Sequence, residues 1–120
     1  MARLNYVELP VGDVGAGKSF YGQAFGWTFD DYGPSYAATT TGDVDLGLNG
    51  DAGESTAALL PVVQVDDLES TLAAVIAAGG AVTMPIFGFP GGRRFHFKDP
   101  NGHELAAMTP DAEAGGPEPA

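Results

Sequence analysis

Cysteine is absent from this 120-residue sequence. Disulfide bonds and metal sites built from thiolates are therefore excluded, and the sequence is compatible with a reducing compartment. Long apolar runs are missing too, because no stretch approaches the roughly 20 residues that a membrane-spanning helix needs. The N-terminus has no basic segment followed by an apolar core, so we expect no signal peptide, no membrane partner and a cytoplasmic location.

Basic residues are scarce: 5 Lys and Arg stand against 16 Asp and Glu, which gives a formal net charge of −11. An acidic surface repels phosphate backbones, so we expect no nucleic-acid partner. The same charge would attract cationic small molecules. Acidity also serves simply to keep a protein in solution, and that reading stays open.

The most informative stretch is GRRFHFKDPNGHELAAM, residues 92–108, which predicts a β-hairpin. Phe95 and Phe97 alternate with basic side chains, a period of two that is typical of a strand with two different faces. Asp-Pro-Asn-Gly at 99–102 predicts the turn, and residues 104–108 form the returning strand. The polar face of this hairpin would point into a pocket with three side chains: Arg94, His96 and Glu104.

The rest of the chain predicts two similar series of elements. The first series is a strand at 3–11, a helix at 14–24, a strand at 27–29 and strands at 35–41 and 44–48. The second is a strand at 59–65, a helix that ends at Gly79-Gly80, a strand at 81–84, a loop at 85–92 and the hairpin. Asp13 would cap the first helix, and Asp66 with Glu69 would form a capping box for the second.

An offset of 54 residues aligns Asp13 with Asp67, so the chain reads as a duplication. The order of elements predicts an α+β fold of two βαβββ modules, at about 3–50 and 57–108, within a single domain at 1–110. Apart from two prolines, residues 111–120 contain no apolar side chain larger than alanine, which predicts a disordered tail.

Aromatic residues divide into core and pocket candidates. The helix–sheet core is predicted to contain Phe20, Phe25, Trp27, Phe95 and Phe97. Phe87 and Phe89 lie on the Gly- and Pro-bounded loop 85–92, which could fold over a pocket mouth. The complete set of predicted ligand-binding residues is Tyr6, Glu8, Tyr36, Asp45, Phe87, Phe89, Arg94, His96, Glu104 and Met108.

Two motifs resemble one known superfamily. DPNGHEL after an aromatic strand is similar to the last hairpin of the vicinal oxygen chelate superfamily, which includes glyoxalase I, extradiol dioxygenases and bleomycin-binding proteins. Residues 6–27, YVELPVGDVGAGKSFYGQAFGW, resemble its first strand and helix. The resemblance implies that two βαβββ modules curl a mixed sheet into a cup. It also implies a homodimer. We expect this protein to bind a small organic molecule, cationic or aromatic.

Metal-using members of this superfamily carry one ligand on the first strand and one on the last strand of each module. The resemblance places these four positions on or near Tyr6, Gly47, Leu60 and Ala106. Three of them have no donor atom in the side chain, and tyrosine alone is a poor ligand for a divalent cation. The chain therefore resembles a non-metal, glyoxalase-like subgroup, and we expect no metal cofactor.

An alternative keeps a metal. Glu8, Asp45 and Glu104 each lie two residues from a ligand position, on the same strand face, and could hold a divalent cation in a displaced acidic site. The protein would then be a metal-dependent lyase, isomerase or dioxygenase, so whether it is an enzyme stays open.

His96 is the candidate for a catalytic general base, since an imidazole titrates near neutral pH. Its alternative role is a hydrogen bond to Glu104 or Asp45 without chemistry. Arg94 could hold an anionic group of a ligand.

A third hypothesis comes from GDVGAGKS, residues 12–19, which matches the pattern of a P-loop. Its glycines fall inside the helix that Asp13 is predicted to cap, and the rest of a nucleotide-binding sheet is missing. Nucleotide binding is therefore the least favoured of the three functions.

Overall fold

The computed structural model describes residues 2–111. Its elements run β–α–β–β–β twice along the chain, which confirms the predicted α+β fold of two βαβββ modules. The chain divides into two compact units. We call Asn5–Leu60 the first unit, and Pro61 onward, together with the residues up to Leu4, the second unit. The predicted tail lies outside the described residues, apart from Asp111.

The first unit contains one helix and four strands, and the first strand begins two residues before the unit does. The elements are β1 Arg3–Pro10, α1 Val14–Phe25, β2 Asp30–Asp31, β3 Tyr36–Ala38 and β4 Asp45–Asn49. The strands lie in the order β2-β3-β4-β1. β1 and β4 are parallel, and the other two pairs are antiparallel. This arrangement brings Tyr6 and Glu8 of β1 beside β4, so polar residues of three strands share one face of the sheet.

Helix α1 begins at the predicted residue and ends at Phe25, one residue later than predicted. The Asp13 side chain accepts a hydrogen bond from the Ala16 N–H at 3.0 Å, and Gly26 takes a left-handed φ of 74° at the C-terminus. The predicted strand at 27–29 is wrong, because β2 contains only Asp30 and Asp31. The Trp27 ring stacks on the ring of Tyr21 at 5.7 Å, so the chain follows the helix surface here before it joins the sheet.

The predicted core positions of Phe20, Phe25 and Trp27 are wrong as well. Phe20 and Phe25 are each 60% exposed and Trp27 is 43% exposed. Helix α1 approaches β4 through Gly17, where an added Cβ would lie 3.0 Å from Leu48 Cδ1. Because Gly17 lies at the close contact between α1 and β4, the aromatic rings lie elsewhere on the helix. There Phe20 contacts Tyr21, and Phe25 contacts Trp27.

The second unit repeats the arrangement: β5 Leu60–Gln64, α2 Leu68–Ala77, β6 Ala81–Phe89, β7 Gly92–Lys98 and β8 Glu104–Pro110. Its strands lie in the order β5-β8-β7-β6. β5 and β8 are parallel, and the two hairpin pairs are antiparallel.

A hydrophobic core fills the space between α2 and this sheet. The Phe95 side chain is fully buried among Val65, Leu68 and Ala107, and Phe97 packs against the same cluster. Both predicted core positions on β7 are therefore confirmed. Because side chains alternate along a strand, Arg94 and His96 lie on the opposite face of β7 from Phe95.

Two predictions about the second unit are corrected. Asp67, not Asp66, caps α2: its side chain accepts a hydrogen bond from the Ser70 N–H at 2.9 Å. The predicted loop at 85–92 is mostly strand, because β6 continues to Phe89 with irregular register between Val82 and Phe87. β6 is an edge strand, where a bulge accommodates Pro85, which has no N–H to donate.

The longer β6 changes the setting of Phe87 and Phe89. Both lie on a strand paired with β7, opposite Arg94 and Gly92, and not on a free loop. The chain reverses at Pro90-Gly91, where Gly91 has a φ of 106°.

Among the described residues, neither helix is long and apolar enough to cross a bilayer.

Candidate functional site

A hydrogen-bonded cluster of four side chains lies on one face of the first unit. Tyr6 and Glu8 occupy alternate positions of β1, Tyr36 begins β3 and Asn49 ends β4. The hydroxyls of Tyr6 and Tyr36 are hydrogen-bonded to each other. We call Tyr6, Glu8, Tyr36 and Asn49 the tyrosine–glutamate cluster.

Glu8 is the centre of this cluster and is only 4% exposed. The Tyr36 O–H donates to Glu8 Oε1 at 3.0 Å, and the Asn49 Nδ2–H donates to Glu8 Oε2 at 3.2 Å. A buried carboxylate is costly unless donors of this kind compensate for lost hydration. Both carboxylate oxygens therefore accept a hydrogen bond within the first unit.

The Tyr36 hydroxyl is kept protonated by its surroundings. Burial raises the pKa of Tyr36 far above its usual value, and the neighbouring Tyr6 and Glu8 raise this pKa further. A phenol has a single proton to donate. Since Tyr36 donates it to Glu8, the Tyr6 hydroxyl donates to the Tyr36 oxygen.

Gly47 leaves the space that the two tyrosine hydroxyls occupy. It faces Glu8 in the register of β1 and β4. A Cβ added at Gly47 would meet both tyrosine hydroxyls and would lie 2.8 Å from Tyr6 Cζ. Only glycine fits beneath this pair, because real Cβ atoms essentially never approach so closely.

Asp45, a predicted site residue, serves the β3–β4 connection. Its Oδ1 accepts the Thr39 hydroxyl at 2.7 Å and the Thr41 N–H at 2.8 Å, and its Oδ2 accepts the Gly42 N–H at 3.1 Å. Partial burial opposes the charged form, but these donors outweigh it and hold the pKa of Asp45 below its usual value. This carboxylate is thus engaged in shaping the turn.

A second polar group lies on the second unit, on the face of β7 away from Phe95. His96 is 4% exposed. Its Nδ1 lies 3.3 Å from Glu104 Oε2. The His96–Glu104 hydrogen bond, which the sequence analysis gave as the alternative to a catalytic role for His96, is therefore present. The Thr83 hydroxyl donates to the same Glu104 oxygen at 3.0 Å. These contacts fix the imidazole between β6 and β8.

Arg94 lies beside this histidine and stacks on aromatic rings. Its guanidinium carbon is 5.3 Å from the Phe87 ring centroid and 5.4 Å from that of Phe89. The Phe87 ring is 5.9 Å from the His96 ring, and Met108 pairs with Arg94 in the register of β7 and β8. The structure therefore brings together the six predicted residues of this unit: Phe87, Phe89, Arg94, His96, Glu104 and Met108.

The positions implied as metal ligands do not fit a metal ion. Ala106, which pairs with His96, and Leu60 are fully buried and carry no donor atom. At the other two positions the tyrosine hydroxyls occupy the space above Gly47. Across residues 2–111, no group of three or more His, Asp or Glu side chains is placed to hold a metal.

The P-loop pattern has an ordinary helical structure. The Gly17 N–H donates to the Asp13 carbonyl oxygen at 3.1 Å, so it is engaged in the first turn of α1. Lys18 Nζ forms an ion pair with Asp31 Oδ1 at 2.7 Å. Neither residue is arranged to receive a phosphate.

Sequence reasoning missed Asn49 and Thr83. Asn49 lies just beyond the predicted strand at 44–48, yet it ends β4 and is 8% exposed. Asn49 lies two residues after Gly47 and therefore on the same face of the strand, so the alternation of side chains along β4 could have identified it. No sequence pattern indicated Thr83, because the irregular register of β6 determines which face of the sheet its side chain lies on.

Comparison with known proteins agrees with this fold. The sequence model described as Glyoxalase/Bleomycin resistance protein/Dioxygenase superfamily matches residues 3–107. The chain is 32% identical over 116 residues to the candidate glyoxylase CFP32 of Mycobacterium tuberculosis and of Mycobacterium bovis. This match covers 82% of the chain but 42% of CFP32, so the chain spans less than half the length of these relatives.

Solved structures share the fold. A glyoxalase/bleomycin resistance protein/dioxygenase superfamily member from Vibrio splendidus superposes with a TM-score of 0.68 at 17% identity, over 92% of this chain and 99% of that one. The Mn(II)-bound glyoxalase from Novosphingobium aromaticivorans has a TM-score of 0.68 at 21% identity, over 91% of this chain and 40% of that one.

Proposed function

Because the chain belongs to the Glyoxalase/Bleomycin resistance protein/Dioxygenase superfamily, we propose that it binds a small organic molecule without the help of a metal cofactor. One observation carries this proposal: the hydroxyls of Tyr6 and Tyr36 occupy the space above Gly47. Where the resemblance implies two metal ligands, the chain has a phenol pair bonded to a buried carboxylate. Recognition then depends on hydrogen bonds and shape.

Each unit offers a surface suited to an organic ligand. The first unit presents half-buried tyrosine rings beside a preorganised carboxylate. The second presents Arg94 stacked on two phenylalanine rings. Binding sites for small molecules commonly combine apolar walls with a few convergent polar groups, as each of these surfaces does.

We further propose that the protein is a homodimer. The exposed rings of Phe20 and Phe25 support this assembly, since large apolar groups at a surface often mark a contact with a partner. Sedimentation velocity on the purified protein at several concentrations tests this point. A single species with the mass of one chain at all concentrations would contradict it.

Thermal-shift screening of metal-depleted protein tests the binding function. Small aromatic, cationic and anionic compounds should be screened with and without added Mn²⁺, Fe²⁺, Ni²⁺ and Zn²⁺. We expect at least one compound to raise the melting temperature equally in both conditions, because a ligand of the native state stabilises it. No stabilisation by any compound would contradict the proposal.

A requirement for added metal in that screen would instead favour the displaced acidic site and a metal-dependent lyase, isomerase or dioxygenase. The variants Glu8→Ala and Glu104→Ala separate the two functions. Metal uptake that both variants leave unchanged rules out the displaced site, whereas its loss in either variant supports that site.

A further inference from the structure

The first unit contains a cavity on the face of its sheet that α1 packs against. It measures about 630 Å³, and roughly 300–1,000 Å³ is usual for a small-molecule site. Val7 and Leu46 line it and are paired in the register of β1 and β4. Val7 lies between Tyr6 and Glu8 along β1, so its side chain lies on the opposite face from theirs. The cavity is therefore separate from the tyrosine–glutamate cluster.

Trp27 forms an aromatic wall of this cavity. Its ring stacks on the Tyr21 ring with an interplanar angle of 16° and centroids 5.7 Å apart, and it lies 5.1 Å from the Phe25 ring. These contacts hold the indole in place, yet Trp27 remains 43% exposed. Because the ring is already ordered, a ligand that stacks on it costs the protein little side-chain entropy.

The rest of the wall combines aliphatic side chains with threonines whose hydroxyl protons are already bonded. Val44 adds an aliphatic side chain that is 54% exposed. The Thr39 hydroxyl donates to Asp45 Oδ1 at 2.7 Å, and the Thr40 hydroxyl donates to Asp30 Oδ2 at 2.6 Å. A hydroxyl has one proton to donate, so these two groups offer a ligand contact surface and no further donor.

We infer that this cavity binds a neutral aromatic molecule that stacks on Trp27. The inference goes beyond the proposed function, because it adds a second site on another face of the first unit. Burial of an aromatic ring against apolar walls is favourable, and stacking on the indole adds to that gain. A ligand carboxylate is disfavoured, since Asp45 lines the cavity and the chain has a formal net charge of −11.

Three bicyclic probes of similar size test the inference: 2-naphthol, decahydro-2-naphthol and 2-naphthoate. NMR titration of the full chain follows the backbone amides of residues 39–46 and the indole N–H of Trp27, the only tryptophan in the sequence. We expect 2-naphthol to shift these signals and to bind roughly threefold or more tightly than its saturated analogue, because only the aromatic probe stacks. The anion 2-naphthoate should bind more weakly than 2-naphthol.

The variant Trp27→Leu keeps an apolar side chain and removes the aromatic face. It should reduce the affinity for 2-naphthol to that for decahydro-2-naphthol, with the amides of residues 39–46 as reporters. Tyr32→Leu is the matched control, because Tyr32 is an aromatic residue that is 57% exposed in the turn before β3, away from the cavity wall. The control should retain the preference for 2-naphthol.

If Trp27→Leu does not fold, Val44→Asn provides a second test, since it replaces an exposed aliphatic part of the wall with an amide. Leu59→Asn is its control, because Leu59 is 59% exposed in the loop before β5 and does not line the cavity. Val44→Asn should weaken the binding of 2-naphthol, whereas Leu59→Asn should leave it unchanged. Equal binding by the two variants would contradict the site.

Three results with the native protein overturn the inference: no response of the cavity signals to 2-naphthol, equal or tighter binding of the saturated analogue, or equal or tighter binding of 2-naphthoate. Each of them leaves the proposed function standing. That function fails only when no compound of the wider panel stabilises the protein in the thermal-shift screen.

Discussion

The Tyr6 and Tyr36 hydroxyls are hydrogen-bonded to each other directly above Gly47, in space that no side chain larger than hydrogen could share. The pair connects β1 to β3 across β4, and it positions a proton donor on the buried carboxylate of Glu8. The first unit thus holds a phenol pair and a carboxylate at the place where the resemblance implies metal ligands.

Replacement of Gly47 tests this packing. In Gly47→Ala the new methyl group would displace both hydroxyls, and overpacking of this kind costs about 1–3 kcal/mol of unfolding free energy. Urea denaturation measures the loss. Gly88→Ala is the control, because Gly88 also lies in a strand and an added Cβ there meets nothing within 4 Å. Equal stabilities of the two variants would contradict the packing described for Gly47.

Tyr36 should make the protein less stable at alkaline pH. The pKa of Tyr36 is raised in the folded state, so its contribution to the free energy of unfolding is fully present below the unfolded pKa of about 10. Above that pH the unfolded chain loses the proton while the native chain retains it, and stability falls. Tyr36→Phe should therefore show a flatter decline above pH about 10 in urea midpoints. A decline as steep as that of the native protein would show that Tyr36 titrates normally.

Asp45 should contribute to acid sensitivity. The pKa of Asp45 is lowered in the folded state. Its contribution to the free energy of unfolding is therefore present above the unfolded pKa of about 3.9 and is lost as the pH falls through the folded pKa. Asp45→Asn should be less stable than the native protein at neutral pH, and the difference should narrow below pH about 4. A difference that is independent of pH would mean that the carboxylate charge plays no part in the β3–β4 turn.

The two neighbouring arginines of β7 should behave differently. Arg94 stacks on Phe87 and Phe89, and a cation–π contact contributes roughly 0.5–2 kcal/mol. Arg93 pairs with Glu69 at the surface, where ion pairs contribute little. Arg94→Ala should therefore lower the urea midpoint more than Arg93→Ala. The reverse order would refute the stacked position of Arg94.

Two phenylalanines check the location of the core. Phe95→Ala removes a fully buried ring and should cost roughly 3–5 kcal/mol. Phe20→Ala removes a ring that is 60% exposed, and its cost should stay below about 1 kcal/mol. Comparable losses would place Phe20 in the core, as its sequence spacing predicted.

Local patterns were enough to predict much of the fold. The Asp13 cap and the alternation of Phe95 and Phe97 with Arg94 and His96 depend only on neighbouring residues in the chain. The order of these elements was therefore readable without any long-range information.

The errors occurred where a distant contact decides the outcome. The aromatic face of α1 was predicted to be buried, but Gly17 takes the close contact with Leu48. The loop at 85–92 became strand because pairing with β7 outweighs the Gly and Pro residues of that segment. The bond between Tyr6 and Tyr36 joins residues 30 positions apart, so no local pattern could reveal it.

The most direct test of the central claim is a paired measurement on chelator-treated protein: its metal content by elemental analysis, and its affinity for a ligand from the screen before and after metal is added back. The account predicts far less than one divalent metal per chain and an affinity that added metal does not change. About one tightly held metal per chain, or binding that appears only when metal returns, would contradict it.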